Sequence, residues 1–356
     1  MPKRVFLGMS GGVDSSVSAL LLRDQGYDVT GVYMKNWSED LPGMHCPWAE
    51  DLADAKRVAV QLDLDFEVWD FEQAYKQKVV DYMLDEFRRG RTPNPDIMCN
   101  QEIKFKLFYE RALAAGADYI ATGHYARADG SRLRLAADAN KDQTYFLYRM
   151  SLAATARTLF PVGDLKKPAV KALAAARGLD VAHKKESMGV CFVGEVGMKD
   201  FLQHYLPAQP GEIRELETDR VLGHHDGAIF YTLGQRHGLY LGGGLPYYVV
   251  KKDLSRNLLY VSRNLNAADL WTDTLELEDL FLREPLPNLP ASTSSTAPTA
   301  AAPVSVRLRH RAPLIPATFD GHALHFSQPI KRPAAGQSAV LYSDDLCLGG
   351  GIIAES

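Results

Sequence analysis

Residues Gly8–Ser16 read "GMSGGVDSS", placed between the apolar run "VFL" and the helical text "VSALLLRDQG". A strand that ends in glycine and re-enters the chain as a helix points several backbone N–H groups at one spot. There the unsatisfied donors of the first helical turn and the helix dipole stabilise an anion. Two adjacent glycines, an aspartate and flanking hydroxyls make this a phosphate loop rather than an ordinary tight turn. It lacks the lysine of a Walker A sequence and the GxGxxG spacing of a dinucleotide fold, so neither of those readings fits.

Outward from the loop, the first 125 residues alternate short apolar strands with helix-length periodic segments: "VFLGM", "DSSVSALLLRDQG", "DVTGVYM", "AEDLADAKRVAVQLD", "FEVWDF". This is the pattern of parallel βαβ units with both sheet faces covered. Gly26 is placed to end the first helix. A further helix is expected over Gln101 to Ala115, and "ADYIATGHY" reads as the next buried strand, ending at Thr122 to His124. The expected fold is α/β, a doubly wound parallel sheet, followed by a small central domain and a C-terminal β-barrel. The expected boundaries are residues 1–204, 205–272 and 273–356. "AIFYTLG", "PYYVVKKD" and "NLLYVS" supply β-type runs for the central part. "VSVRLRHR", "IPATFDG", "ALHFSQPI", "QSAVLYSDD" and "LCLGGGIIA" supply the barrel. Pro285 to Pro303 is a low-complexity Pro/Ala/Ser/Thr tract, expected to be a mobile loop or linker.

The 356 residues are 46% hydrophobic and 24% charged, ordinary globular values that suit more than one domain. No apolar run approaches the ~18 to 20 residues of a membrane span, and the N-terminal text has no signal-peptide core, so a cytoplasmic location is expected. The formal charge of -4 argues against a generally basic nucleic-acid binder; a nucleic-acid partner would need a local basic face. Four scattered cysteines, Cys46, Cys99, Cys191 and Cys347, are too few for a disulfide scaffold, so cysteine chemistry would be catalytic or redox. Cys347 reads as a small buried hydrophobe. Cys46 lies beside His45 without any metal-ligand spacing, and no metal site is assigned.

A second stretch, Gly90–Asn100, "GRTPNPDIMCN", stiffens itself with Pro93 and Pro95 and delivers a carboxylate and a thiol at a helix start. Here the sequence resembles a known family. "SGGVDSS" is similar to the pyrophosphate-binding loop of the ATP pyrophosphatase superfamily. "MKNW", "GRTPNPDIMCN", "IKFK", "ATGHY", "NKDQTYFLY", "LFPVG", "GVCF", "YTLGQR" and "CLGGGII", in this order across nearly the whole chain, resemble bacterial tRNA-specific 2-thiouridylases. The resemblance implies ATP-dependent replacement of the 2-oxygen of a wobble uridine by sulfur. Uridine O2 is adenylated, pyrophosphate departs with Mg²⁺ neutralising its charge, and sulfur displaces AMP. It implies an ATP site of Gly8, Met9, Ser10, Gly11, Gly12, Val13, Asp14, Ser15, Met34 and Gly123. It also implies a nucleophile at Cys99, a persulfide carrier at Cys191, which would pair with Cys99 as a disulfide when sulfur leaves, and an acid/base or base-contacting role for Asp96. An iron–sulfur cluster on Cys99, Cys191 and Asp96 is a possible rival use of the same residues, not the favoured one.

For tRNA, the resemblance implies Asn94, Pro95 and Asp96 at the target base, with His124, Lys141, Asp142, Gln143, Arg309, His310 and Gln337 as further contacts. Arg307, Arg309 and Arg311 alternate, which on a strand would set them on one face and His310 on the other. Lys166, Lys167, Lys184 and Lys185 could extend that basic surface. Implied partners are wobble-uridine tRNAs of the Glu, Gln and Lys type and a cysteine desulfurase or sulfur relay. Met188 stands where threonine is common in the family, and Tyr247 where tryptophan is common. Two rivals remain: another ATP pyrophosphatase, such as an amide-forming synthetase, which needs no cysteine pair, and a non-catalytic nucleotide-gated tRNA-binding protein.

Overall fold

The computed structural model describes residues 1–40, 46–184, 197–242, 244–286 and 301–355. Strand β1 (Arg4–Gly8) leads into α1 (Val13–Asp24), β2 (Asp28–Lys35), α2 (Trp48–Gln61) and β3 (Asp65–Asp70). Strand β4 (Tyr119–Thr122) follows, then a hairpin of β5 (Arg127–Asp129) and β6 (Arg132–Arg134), then β7 (Thr158–Leu159). The first sheet is parallel throughout in the order β3-β2-β1-β4-β7. Alternation along β1 buries both faces: Val5 and Leu7 pack with Val13, Val17 and Leu20 of α1, while Phe6 meets Trp69 at 5.6 Å on the other side. In this order the chain reverses direction across the sheet between β1 and β4, the place where loops leave a crevice at the strands' carboxyl ends.

The central sheet has the order β10-β11-β8-β9, built from β8 (Gly211–Glu215), β9 (Val221–His225), β10 (Tyr248–Asp253) and β11 (Leu258–Ser262). The C-terminal strands are β12 (Trp271–Leu282), β13 (Ala302–Arg307), β14 (Ile315–Phe319), β15 (Ala323–Lys331), β16 (Ser338–Ser343) and β17 (Leu346–Ile353). They run antiparallel in the order β12-β15-β14-β13-β16-β17, and β12 pairs back onto β17 to close the barrel. Leu277, Val306, Phe319, Leu324, Leu341 and Ile353 fill it.

Three expectations are corrected. "AIFYTLG" forms a short 3₁₀ turn at Ala228–Phe230 instead of a strand. "VSVRLRHR" stops being a strand at Arg307, and Arg311 takes a left-handed φ of 62°, so Arg307, Arg309 and Arg311 do not share a strand face. The low-complexity tract yields its last residues to β13, which begins at Ala302; residues 287–300 lie outside the described part.

One arrangement has no signal in the sequence. The β5–β6 hairpin of the first region extends the barrel sheet, with Arg134 in register with Leu346 of β17. Around it the "NKDQTYFLY" tract forms the buried seam. Tyr145 Oη donates to Ser338 O at 3.1 Å, Tyr148 Oη lies 3.1 Å from Ser338 Oγ, and Tyr342 Oη lies 3.1 Å from Thr144 Oγ1.

Candidate active site

The glycine loop sits at the carboxyl end of β1. Met9 N donates to Val32 O at 2.8 Å, and Ser16 N donates to Gly12 O at 3.2 Å as the first helical bond of α1. The N–H groups just before Ser16 therefore stand outside the helical ladder. The hydroxyls turn inward to hold the loop: Ser15 Oγ accepts from Ser10 N at 3.2 Å and donates to Gly12 O at 3.1 Å. Gly11 has a φ of 70°, and a β-carbon there would lie 2.3 Å from Asp51 O on α2, so only glycine lets the loop pass.

Met34 and Gly123 converge on the same end of the sheet. A β-carbon on Gly8 would meet Met34 Cε at 2.8 Å, and one on Gly123 would meet Ser15 N at 2.7 Å. The exit of β4 thus lies directly on the first turn of α1. Asp14 does not face solvent alone: Lys167 Nζ reaches its two carboxylate oxygens at 2.7 and 2.8 Å, and Tyr125 Oη donates to it at 2.8 Å. Lys167 is only 6% exposed. The loop has no lysine of its own, yet a buried ammonium from far along the chain stands beside it.

The second centre is the 90–114 segment. Asn94 caps a helix by accepting Asp96 N at 3.1 Å, and Pro95 occupies the first helical position, where its missing N–H is harmless. The helix is α over Pro95–Met98, π over Cys99–Phe108 and α again over Tyr109–Ala114. The π register begins at Cys99, a type of irregularity frequent at functional positions. Cys99 is 3% exposed. Burial pushes the Asp96 carboxyl up, with Lys104 partly opposing the shift. Burial holds His124 well below the usual imidazole range, and Lys104 adds to it, so the ring is neutral near pH 7. The charge of Lys104 is felt at both groups. His124 Nδ1 lies 2.9 Å from Thr122 Oγ1, and its ring stands 5.7 Å from Phe105.

Comparison with known proteins gives a match over almost the whole chain. Residues 3–195 match a tRNA methyl transferase HUP domain, 199–263 a tRNA methyl transferase PRC-barrel domain, and 288–353 an aminomethyltransferase β-barrel domain. The chain is 47% identical to the tRNA-specific 2-thiouridylase MnmA of Idiomarina loihiensis, over 99% of this chain and 96% of that protein. The corresponding protein of Geobacillus thermodenitrificans is 45% identical over 99% of this chain and 95% of its own length. The chain belongs to the tRNA-specific 2-thiouridylase family. Among solved structures, a 4-thiouridine synthetase–RNA complex with bound ATP has a TM-score of 0.36 and 16% identity, covering 58% of this chain and 50% of that one.

For this thiouridylase-family chain, the expected tRNA residues fall into different environments. Asn94, Pro95 and Asp96 share the loop that leads to Cys99. Gln143 Oε1 accepts Tyr125 N at 2.9 Å, next to His124. Gln337 Nε2 donates to Thr92 O at 2.6 Å, so it reaches the Cys99 loop through the backbone. Arg309 is exposed, and His310 packs against Phe146 with the rings tilted and their centroids 4.6 Å apart. Lys141 is half-buried. Asp142 is interior: 2% exposed, it accepts from Arg307 Nη1 at 2.7 Å, Thr144 Oγ1 at 2.6 Å and Ala136 N at 2.8 Å. Asp142 and Arg307, both buried, join the first region to the barrel.

Lys167 is buried and Lys184 is half-buried, and both are paired with carboxylates. Lys184 Nζ lies 2.7 Å from Asp51 and also contacts Asp54, holding the chain to α2 just before residues 185–196. Cys191, Lys185 and Met188 lie outside the described residues, as does His45. Among the described residues no group of three or more His, Cys, Asp or Glu is arranged to hold a metal. Nor is any described helix long and apolar enough to cross a membrane. Sequence reasoning missed Lys167 as a companion of the glycine loop. The available signal was its position at the start of a helix, directly before Pro168, where a cation opposes the helix dipole and so needs an anionic partner.

Proposed function

We propose that this protein is a cytoplasmic tRNA-uridine 2-sulfurtransferase that uses ATP and Mg²⁺ to thiolate the wobble uridine. The observation that carries this reading is the presence of a lysine-free phosphate loop and of the Asn94-capped helix that carries Asp96 and Cys99 in the same N-terminal region, within a chain that matches the family from end to end. ATP is a substrate here. The β- and γ-phosphates would lie against the free N–H groups at the start of α1, with Met34 and Gly123 bordering the adenosine. Mg²⁺ would ride on the phosphates, because Asp14 is already engaged by Lys167. Lys167 lies close enough to Asp14 to share its charge with departing pyrophosphate.

In the first step uridine O2 attacks the α-phosphorus, the α–β phosphoanhydride bond breaks, and pyrophosphate leaves. In the second, sulfur attacks C2 and expels AMP. Sulfur arrives as a persulfide on Cys191, loaded by a cysteine desulfurase or a relay protein. The Cys99 thiolate attacks the inner sulfur, forming the Cys99–Cys191 disulfide and releasing hydrosulfide; a thiol reductant then restores both cysteines. Asp96, whose burial raises its proton affinity, would exchange a proton with the base.

The test is a reconstituted reaction with ATP, Mg²⁺, a cysteine desulfurase with free cysteine as the sulfur source, and unmodified glutamate tRNA, reading 2-thiouridine and AMP for wild type, Cys99→Ser and Cys191→Ser. Product in the wild type and its loss in both variants is the expected result. Rescue of Cys191→Ser alone by sulfide would make Cys191 a carrier upstream of the final attack. ATP and tRNA binding with neither AMP nor thiouridine in any sample would refute the enzyme reading and leave a nucleotide-gated tRNA-binding protein.

A further inference from the structure

The backbone that leads into Asn94 and Asp96 is held from outside its own domain. Lys252, on β10 of the central sheet, points its ammonium at two main-chain carbonyls, Gly90 O and Tyr231 O, the second at 3.0 Å. Thr232 Oγ1 lies 3.2 Å from Thr92 Oγ1. From the barrel side, Thr92 N donates to Ala335 O at 2.8 Å, and Gln337 Nε2 reaches Thr92 O at 2.6 Å and Pro93 O at 3.5 Å. Gly90 takes a φ of 77°, and a β-carbon there would lie 2.1 Å from Leu254 Cδ1, so the central domain touches this turn as closely as backbone allows. Two prolines stiffen the loop, but its polar backbone is completed by the other two domains.

We propose that Lys252, together with Gln337, is a positioning residue for the reaction: it holds the Gly90–Pro93 backbone so that Asp96 and Cys99 are presented to the target uridine. This rests on the thiouridylase reading. Two carbonyls at one ammonium form a strong charge-assisted junction. Burial pushes Lys252 down to about 8, with Glu355 opposing, so the ammonium is still largely charged at neutral pH. A lysine with only an electrostatic surface role would sit in water. Gln337 then acts on the tRNA through the loop it grips. The arrangement also makes the barrel and central domain part of the catalytic apparatus, and Arg91, paired with Glu86 and with Glu278 of β12, fixes the same turn beside them.

The test uses the full-length protein with Lys252→Met, Lys252→Arg and Gln337→Met. In Lys252→Met, kcat for thiolation should fall about 10- to 100-fold, with the KM for tRNA and the Kd for ATP within twofold of wild type; Lys252→Arg should recover much of the loss. Amide hydrogen exchange at residues 90–94 should accelerate in Lys252→Met and Gln337→Met. A kcat within twofold of wild type with unchanged exchange would overturn the proposal, as would a fall in kcat matched by equal losses of ATP affinity and thermal stability. If Lys252→Met does not fold, Thr232→Val takes its place: faster exchange at 90–94 with lowered kcat supports the positioning role, and neither change overturns it. Wild-type inactivity would strike the thiouridylase reading alone, because the exchange arm needs no turnover.

Discussion

Replacing Gly123 with alanine should weaken ATP binding. The added β-carbon would lie 2.7 Å from Ser15 N, 2.9 Å from Asp14 C and 3.0 Å from Ser15 Cα. These are backbone atoms of the first turn of α1, so no side-chain rotation relieves the overlap. Overpacking of this kind costs about 1 to 3 kcal/mol. Relief comes from moving β4's exit away from the N-terminal turn of α1, which spoils the converging N–H groups. If the whole strain falls on the bound state, ATP affinity drops by about 5- to 150-fold, at about 1.4 kcal/mol per tenfold. Calorimetric titration with a non-hydrolysable ATP analogue would measure it. Gly242→Ala is the control, because nothing lies within 4 Å of its β-carbon. Wild-type affinity in Gly123→Ala, or an equal loss in Gly242→Ala, would refute the placement of the nucleotide at the β4–α1 contact.

Other consequences follow from burial and charge. Asp96→Asn should lower thiolation about 10²- to 10⁴-fold, the usual scale for loss of a proton-transfer group, while leaving thermal stability at pH 7.5 equal or higher. The sign follows from the raised carboxyl: its contribution to stability is fully present below the unfolded pKa and is lost as pH rises through the folded one, so the ionised group is a burden near neutrality. Melting curves at pH 5 and 7.5 check this, and a lower Tm for the asparagine variant at pH 7.5 would contradict it. Lys167→Met should reduce AMP formation about 10- to 100-fold while leaving tRNA affinity and its salt slope unchanged; a loss of tRNA affinity would restore the surface reading of this lysine. Arg309→Ala should weaken tRNA binding and reduce the salt slope by about 1, as removal of one phosphate contact does, whereas a salt slope unchanged by the substitution would exclude it. Arg307→Met should instead destabilise folding by about 3 to 5 kcal/mol in urea titrations, because it strands the buried Asp142; Arg307→Met with Asp142→Asn should recover part of that, and strict additivity would exclude the pairing.

Most of the first sheet was legible because its signals are local. Strand periods, the glycine loop and Gly26 each act over a few residues, and β1, α1, β2, α2 and β3 lie within a residue or two of their expected places. The barrel strands were legible for the same reason, turn residues separating alternating runs. What was not legible depends on partners distant in sequence. Nothing near Arg307 tells that its guanidinium will find Asp142 across a domain seam, so three alternating arginines looked like one basic face. Lys167 looked like part of a basic surface because its partner Asp14 lies 153 positions earlier in the sequence. "AIFYTLG" has the composition of a strand, but the Ala228–Phe230 turn packs under Gly227 at a φ of 150°, and tertiary context overrides the propensity. Gln337 was read as a tRNA contact from its motif; only the folded chain shows that its amide reaches Thr92 first.

The two ends of the proposed reaction call for opposite environments, and the fold supplies both. Pyrophosphate leaves with high charge, and the glycine loop meets it with main-chain donors and an ammonium already desolvated beside Asp14, so little reorganisation is needed when charge develops. An adenylated uridine is exposed to a different hazard, attack by water in place of sulfur. At that end the groups are withdrawn from bulk water: Cys99 is 3% exposed, Asp96 and His124 are half-buried, and burial is the leading cause of the shifts at both. A neutral His124 and a carboxyl with raised proton affinity do not draw water in as an ion pair would, and a dry site strengthens each remaining polar contact. A loop that must stay closed to water yet admit a nucleobase cannot rely on its own short sequence for rigidity. This accounts for the carbonyls of Gly90, Thr92 and Pro93 being gripped by Lys252 and Gln337 from two other domains.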